Sequence, residues 1–294
     1  MLNAKHTALY TAIVTPFNDD GTVNFTELET LLQEQARAGN GLVVLGSTGE
    51  GMALSDEEKL AVVKYAAGLN LPVPLLVGVA GYQLDHTLKF LHAVDTLNVH
   101  GYLMPVPLYA KPGLEGQAAW FTALLDAVSK PCMLYNVPSR AGVKLHPEAL
   151  RRVSQHRNAW AVKEASGSVS DFQAYRKAAP NLAFYSGDDA LLPEFVQEGA
   201  VGLVSVASNA WPEETARYVR LSLEGKGAEC ANLWRPASES LFTAANPVPV
   251  KALLQRQGKI SRAKVRAPLC EKDLLSAALL EHWNNEVRDW HRSL

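Results

Sequence analysis

The chain has 294 residues, 48% hydrophobic and 20% charged, with a formal net charge of -2 at pH 7, a composition ordinary for a soluble globular protein that offers no electrostatic footprint for nucleic acid or an anionic membrane. No uncharged apolar run approaches the ~20 residues needed to cross a bilayer, and residues 1–17 lack the charged start and unbroken apolar stretch of a signal peptide. Three widely separated cysteines, Cys132, Cys230 and Cys270, do not make a disulfide framework and point to a reducing, cytoplasmic setting.

From the N-terminus, residues 8–14 read as a strand and residues 25–38 as a helix, with Asn24 as its N-cap. Residues 41–45 form the next apolar run. Residues 55–69 follow as a helix whose start is marked by Ser55 and an acidic first turn of Asp56, Glu57 and Glu58. Further strands are expected at 74–79, 101–106, 132–136, 159–164, 182–186 and 201–206. Helical segments are expected between them, near 85–97, 115–128, 147–154, 170–178, 190–198 and 212–224. Strands alternating with helices imply parallel βαβ units. About eight repeats imply an α/β fold of the closed (β/α)8 (TIM) barrel type. An open doubly wound sheet is disfavoured, because no dinucleotide fingerprint follows the first strand. After residue 225 the strands stop, and residues 227–294 read as helices broken at Pro236 and again at 247–249. The expected organisation is a barrel domain over 1–225 and a C-terminal helical extension over 226–294.

In such a barrel the strand ends and the loops after them form the active face. Four polar or glycine-rich segments qualify: 46–51 (GSTGEG), 135–140 (YNVPSR), 163–167 (KEASG) and 186–189 (SGDD). Lys163 is the centre, because it ends the apolar run Ala159-Trp160-Ala161-Val162. A lysine pressed into a barrel mouth is poorly solvated, which lowers its pKa and leaves a fraction as the neutral amine that attacks ketones to give Schiff bases. Taken alone, a strand-end lysine is more often simply solvated, and only its neighbours reverse those odds. Tyr135 ends the adjacent strand and is either a core aromatic or a proton shuttle for Lys163. Residues 46–51 are either a plain tight turn or a nest whose N–H groups, with the Ser47 and Thr48 hydroxyls, surround a carboxylate. Arg140 offers bidentate capture of a second carboxylate. His86 and His92 do not share a helix face, so no histidine pair has metal-ligand spacing. Lys111, Lys144, Lys251 and Lys259 read as solvated.

These segments, with 10–17 (YTAIVTPF), 107–112 (PLYAKP), 135–142 (YNVPSRAG) and 246–251 (NPVPVK), make the chain similar to one family nearly end to end. It resembles the dihydrodipicolinate synthase and N-acetylneuraminate lyase superfamily of class I aldolase-like barrels. Arg140 and the SGDD segment resemble the branch of 4-hydroxy-tetrahydrodipicolinate synthases, whereas sialate lyases lack that arginine. The resemblance implies that Lys163 forms an imine with pyruvate, and that Thr48, Tyr135 and Tyr109 make a hydroxyl proton relay, with Tyr109 reaching in from a neighbouring subunit. Ser47 and Thr48 would hold the pyruvate carboxylate, Arg140 that of L-aspartate 4-semialdehyde, and the carbonyls of Gly187 and Val204 would lie near the lysine. The resemblance further implies a cytoplasmic homo-oligomer, a dimer or a tetramer built as a dimer of dimers, with no metal or organic cofactor. Ser47 departs from the threonine usual in the synthases and matches the lyase branch, but it keeps the hydroxyl. The rival readings are another pyruvate-dependent aldolase, of the sialate or 2-keto-3-deoxygluconate type, and a non-catalytic keto-acid sensor. Arg140 speaks against the first and the retained relay against the second. Finally, His86, Tyr82, Asp56 and Leu108 fall where lysine-inhibited relatives carry glutamate, asparagine, histidine and tyrosine, which implies insensitivity to lysine.

Overall fold

The computed structural model describes residues 4–293. Its strands are short and run in chain order around a closed parallel barrel. They are β1 (Leu9–Ala12), β2 (Gly41–Val44), β3 (Leu75–Gly78), β4 (Gly101–Pro105), β5 (Cys132–Asn136), β6 (Ala159–Glu164), β7 (Ala183–Ser186) and β8 (Gly202–Ser205). The barrel closes where Tyr10 of β1 pairs with Val204 of β8. All eight expected strands are present, most of them trimmed by a residue or two at their ends.

Strand alternation sorts the apolar residues into two layers. Side chains such as Val43, Leu76, Leu103, Met133 and Ala161 fill the barrel interior, while their sequence neighbours Leu42, Val44, Leu75 and Val162 pack outward under the helices. At the floor, Tyr10, Trp160 and Tyr185 meet edge to face, with ring centroids 5.8–6.3 Å apart. The two tyrosine hydroxyls are satisfied by the N-terminal segment: Tyr10 donates to the Ala4 carbonyl at 2.6 Å and Tyr185 to that of Thr7 at 3.0 Å. The interior is therefore a packed core below and opens only above.

The surrounding helices are α1 (Phe25–Arg37), α2 (Asp56–Gly68), α3 (Leu84–Asp95), α4 (Leu114–Asp126), α5 (Pro138–Ala141), α6 (Pro147–Val153), α7 (Val169–Ala178), α8 (Leu192–Gln197) and α9 (Pro212–Leu223). Asn24 caps α1 by accepting from the Glu27 N–H, and Ser55 forms a capping box with Glu58 at α2, as their positions in the sequence suggest. The short α5 was not expected; Pro138 starts it and Gly142, at φ 75°, ends it.

Beyond the turn at Gly225 come α10 (Gly227–Ser240), α11 (Val248–Arg256) and α12 (Ala278–Arg292). The expected break at Pro236 does not occur, because Pro236 lies inside α10. Proline removes one hydrogen bond and strains the preceding turn, but tertiary packing holds this helix. The Trp234 ring stacks on Tyr218 of α9 at 4.4 Å and meets Trp211 and Trp290 edge on. The second expected break is real: α11 starts just after Pro247. Among the described residues, no helix is long and apolar enough to cross a membrane.

Candidate active site

Register places Tyr135 of β5 beside Lys163 of β6, and Lys163 beside Tyr185 of β7. Lys163 follows inward-facing Ala161 at a spacing of two, so its side chain also points into the barrel, above the interior core. It is only 5% exposed, and its amine lies 4.4 Å from the centre of the Tyr135 ring. Burial pushes the ammonium down to about 8; the nearby Asp189 carboxylate opposes this and the Arg140 guanidinium adds to it. At pH 7 a pKa near 8 leaves about a tenth of the side chain as the nucleophilic neutral amine. Burial likewise pushes the Tyr135 phenol up to about 12, partly offset by Arg140, so it stays protonated and able to donate.

The amine opens on a cavity of about 820 Å³ at the C-terminal face of the barrel. Ser47, Thr48, Tyr135, Arg140, Lys163 and Gly187 all line it. Gly187 is needed for close approach. A Cβ there would stand 2.8 Å from Lys163 Cε and 2.7 Å from Ala165 Cβ. The SGDD segment is locked from within: the Ser186 hydroxyl donates to the Asp188 carbonyl at 2.7 Å, while buried Asp189 accepts from the Ser205 hydroxyl and, at 3.0 Å, from the Val206 N–H. Burial raises the Asp189 carboxyl to about 6. Glu164 faces the other way. It accepts from Asn136 Nδ2 and from the Ser166 N–H, both at 2.7 Å, and so ties the β6 end to the loop after it.

Two expected site residues do not line this cavity. Val204 is in the barrel interior cluster, and Val206, two residues on, lines the cavity instead. Tyr109 is 84% exposed with φ 67°; its ring is 6.4 Å from that of Tyr82, and it does not line the cavity of its own chain. Among the described residues, no group of three or more histidine, cysteine, aspartate or glutamate side chains is placed to hold a metal ion.

A model of the dihydrodipicolinate synthetase family matches residues 5–281. The chain belongs to the dihydrodipicolinate synthetase family. A 4-hydroxy-tetrahydrodipicolinate synthase from Wolbachia pipientis subsp. Culex pipiens is 45% identical over 287 residues, covering 97% of this chain and 98% of the relative. The solved structure of the 4-hydroxy-tetrahydrodipicolinate synthase from the thermoacidophilic methanotroph Methylacidiphilum fumariolicum SolV superposes with a TM-score of 0.90 at 33% identity, covering 96% of this chain and 97% of that one. The structure of a monomeric dihydrodipicolinate synthase variant gives a TM-score of 0.91 at 28% identity, with 97% of each chain covered.

Within this family frame, two of the lysines read as solvated are not. Lys251 is fully buried, its side chain 0% exposed and its Nζ 2.5 Å from Glu50 Oε1. Burial, partly offset by the Glu50 carboxylate, brings its ammonium down to about 8, so it stays mostly charged at neutral pH. Lys259 is 16% exposed and paired with Glu34 at 2.6 Å. Lys111 and Lys144 are exposed as expected. Asn246, the first residue of the 246–251 segment, was not expected in the site. It lines the cavity, and its Nδ2 donates to Thr48 Oγ1 at 2.9 Å. The wall formed by Arg235, Glu239, Phe242 and Asn246 makes the C-terminal extension part of the site rather than an appendage on the barrel.

Proposed function

We propose that this protein condenses pyruvate with L-aspartate 4-semialdehyde through a Schiff base on Lys163, acting as a 4-hydroxy-tetrahydrodipicolinate synthase. The observation that carries the reading is the desolvated Lys163 amine beside Tyr135 at the floor of a cavity whose rim holds Arg140. The neutral amine adds to the C2 carbonyl of pyruvate, and loss of that oxygen as water leaves a protonated imine. A proton then leaves the pyruvate methyl group, and the resulting enamine carbon bonds to the aldehyde carbon of the second substrate, whose oxygen takes up a proton. Tyr135, Thr48 and Tyr109 carry these protons. The Ser47 and Thr48 hydroxyls, with the N–H groups of their loop, hold the pyruvate carboxylate. Arg140 holds the carboxylate of the aldehyde, and the Gly187 and Val204 carbonyls lie toward the amine. Because Tyr109 projects from its own chain, it serves the site of a neighbouring subunit, and the working form is a dimer or a dimer of dimers in the cytoplasm. The barrel of residues 1–225 and the extension of 226–294 act as one catalytic unit. A coupled assay with pyruvate and a panel of aldehydes tests the assignment. Turnover is expected with aspartate semialdehyde; turnover confined to sugar-type aldehydes would move the protein to another pyruvate aldolase branch. Borohydride with pyruvate is expected to reduce an adduct onto Lys163, and an adduct on any other lysine would overturn the mechanism.

A further inference from the structure

The segment bearing Ser47 and Thr48 is under local strain. Leu45 at its start and Glu50 near its end have φ values of 59° and 53°, in a region costing roughly 1–3 kcal/mol for a residue with a side chain unless the surroundings enforce it. Within the turn, the Glu50 N–H donates to the Ser47 carbonyl at 3.1 Å and the Gly51 N–H to the Gly46 carbonyl at 3.2 Å. Thr15 donates to the Gly49 carbonyl at 2.6 Å, and Gly51 sits so close to Leu45 that a Cβ would run into its carbonyl. Further contacts come from the C-terminal extension. Glu50 accepts from Lys251 at 2.5 Å and from the Arg266 N–H at 2.8 Å. Lys251 also donates to the Lys264 carbonyl at 2.7 Å, and its ammonium lies 4.2 Å from the centre of the Phe17 ring. Arg266 then grips the start of α2, donating to the Glu58 carboxylate at 2.5–2.6 Å and to the Ala53 carbonyl at 3.0 Å. Just before α11, Asn246 reaches the Thr48 hydroxyl itself.

A buried ion pair is weak evidence for stability, because desolvation of both charges offsets their attraction. Its position here is more telling than its energy, since it fastens the strained end of the substrate loop to a distant part of the chain. We propose that Lys251, Glu50 and Asn246 are positioning residues for the pyruvate-binding step, the ion pair locking the end of the 46–51 loop and Asn246 aiming the Thr48 hydroxyl. This rests on the reading of that loop as the cradle of the pyruvate carboxylate. Because Asn246 donates to the Thr48 oxygen, the Thr48 hydrogen is left free to be donated into the cavity.

The test is the pyruvate concentration that gives half-maximal borohydride trapping on Lys163, read by mass spectrometry, a measure that needs no second substrate. Lys251→Met alone strands the Glu50 carboxylate and can prevent folding. The neutral pair Glu50→Gln/Lys251→Met and the single change Asn246→Ala therefore carry the experiment, with melting temperature recorded for each. Both are expected to raise the half-saturating pyruvate about tenfold, as a loop displaced by a fraction of an ångström would, while KM for the aldehyde stays at the parent value. Folded variants with the parent's half-saturation overturn the proposal, as does a parallel rise for both substrates, which marks a general loosening. A parent protein that pyruvate cannot trap at all would instead sink the proposed function.

Discussion

Gly187→Ala is the sharpest probe of how tightly the amine is held. The added methyl stands 2.8 Å from Lys163 Cε, 3.0 Å from its Cγ and 2.7 Å from Ala165 Cβ. Ordinary contact begins near 3.4 Å, so the lysine stem must retreat by about 0.6 Å. The Gly187 backbone is not in the left-handed region, so alanine brings crowding without backbone strain. Overpacking of this kind costs typically 1–3 kcal/mol of stability. A misplacement approaching 1 Å at a reacting group costs on the order of a hundredfold in rate. The variant is therefore expected to fold with a modest loss in melting temperature while its rate of pyruvate trapping on Lys163 drops by about tenfold to a hundredfold. Gly68→Ala is the control. A Cβ there meets nothing within 4 Å and the residue ends a helix, so neither stability nor trapping should fall. Trapping at the parent rate in Gly187→Ala would refute the claim that the SGDD loop sets the position of the amine.

Four further outcomes are expected. Lys163→Met should abolish activity and stabilise the fold at pH 7: the folded lysine, at about 8 against an ordinary value of 10.5, carries a protonation penalty that is full below pH 8 and fades as pH rises to 10.5. Urea melts at pH 7 and pH 10 should show a gain of about 3 kcal/mol at the lower pH and little at the higher. Arg140→Ala should lower kcat/KM for aspartate semialdehyde by about a hundredfold while leaving imine trapping by pyruvate intact. Mixing inactive Tyr109→Phe with inactive Lys163→Ala should restore activity once subunits exchange, and no recovery after proven exchange would refute the shared site. Millimolar lysine should leave steady-state turnover unchanged, because Asp56 and His86 pair with each other at 2.5 Å and Leu108 has no hydroxyl to offer; partial inhibition lost on mutating His86 would overturn this.

The parts of this molecule legible in the sequence are those whose physics is local. Strand alternation puts Lys163 and Tyr135 on the inner face as soon as the strands are placed, and it is the pairing of the two neighbours that turns a strand-end lysine into a candidate nucleophile. Caps at Asn24 and Ser55 act within three residues. Pro236 misleads for the opposite reason. Its local rule is outweighed by Trp234, whose partners Tyr218, Trp211 and Trp290 lie far along the chain. Lys251 was illegible because its meaning belongs to Glu50, 201 residues earlier. On a helix of its own, a lysine is most simply solvated.

That long separation has a physical consequence. The barrel supplies Lys163 and Tyr135 from strands that pair with their sequence neighbours, so this part of the site forms when the sheet closes. The loop between β2 and α2, the proposed carboxylate cradle, is strained at both ends and is pinned by residues 246–266, well past the last strand. A chain truncated near residue 225 would lose the Lys251, Arg266 and Asn246 contacts and leave Glu50 open to solvent. The positive-φ residues Leu45 and Glu50, at roughly 1–3 kcal/mol each, would then relax without those contacts to hold them. In the proposed mechanism the covalent chemistry comes from the strands and the substrate grip depends on the extension, whose residues line the same cavity as Lys163.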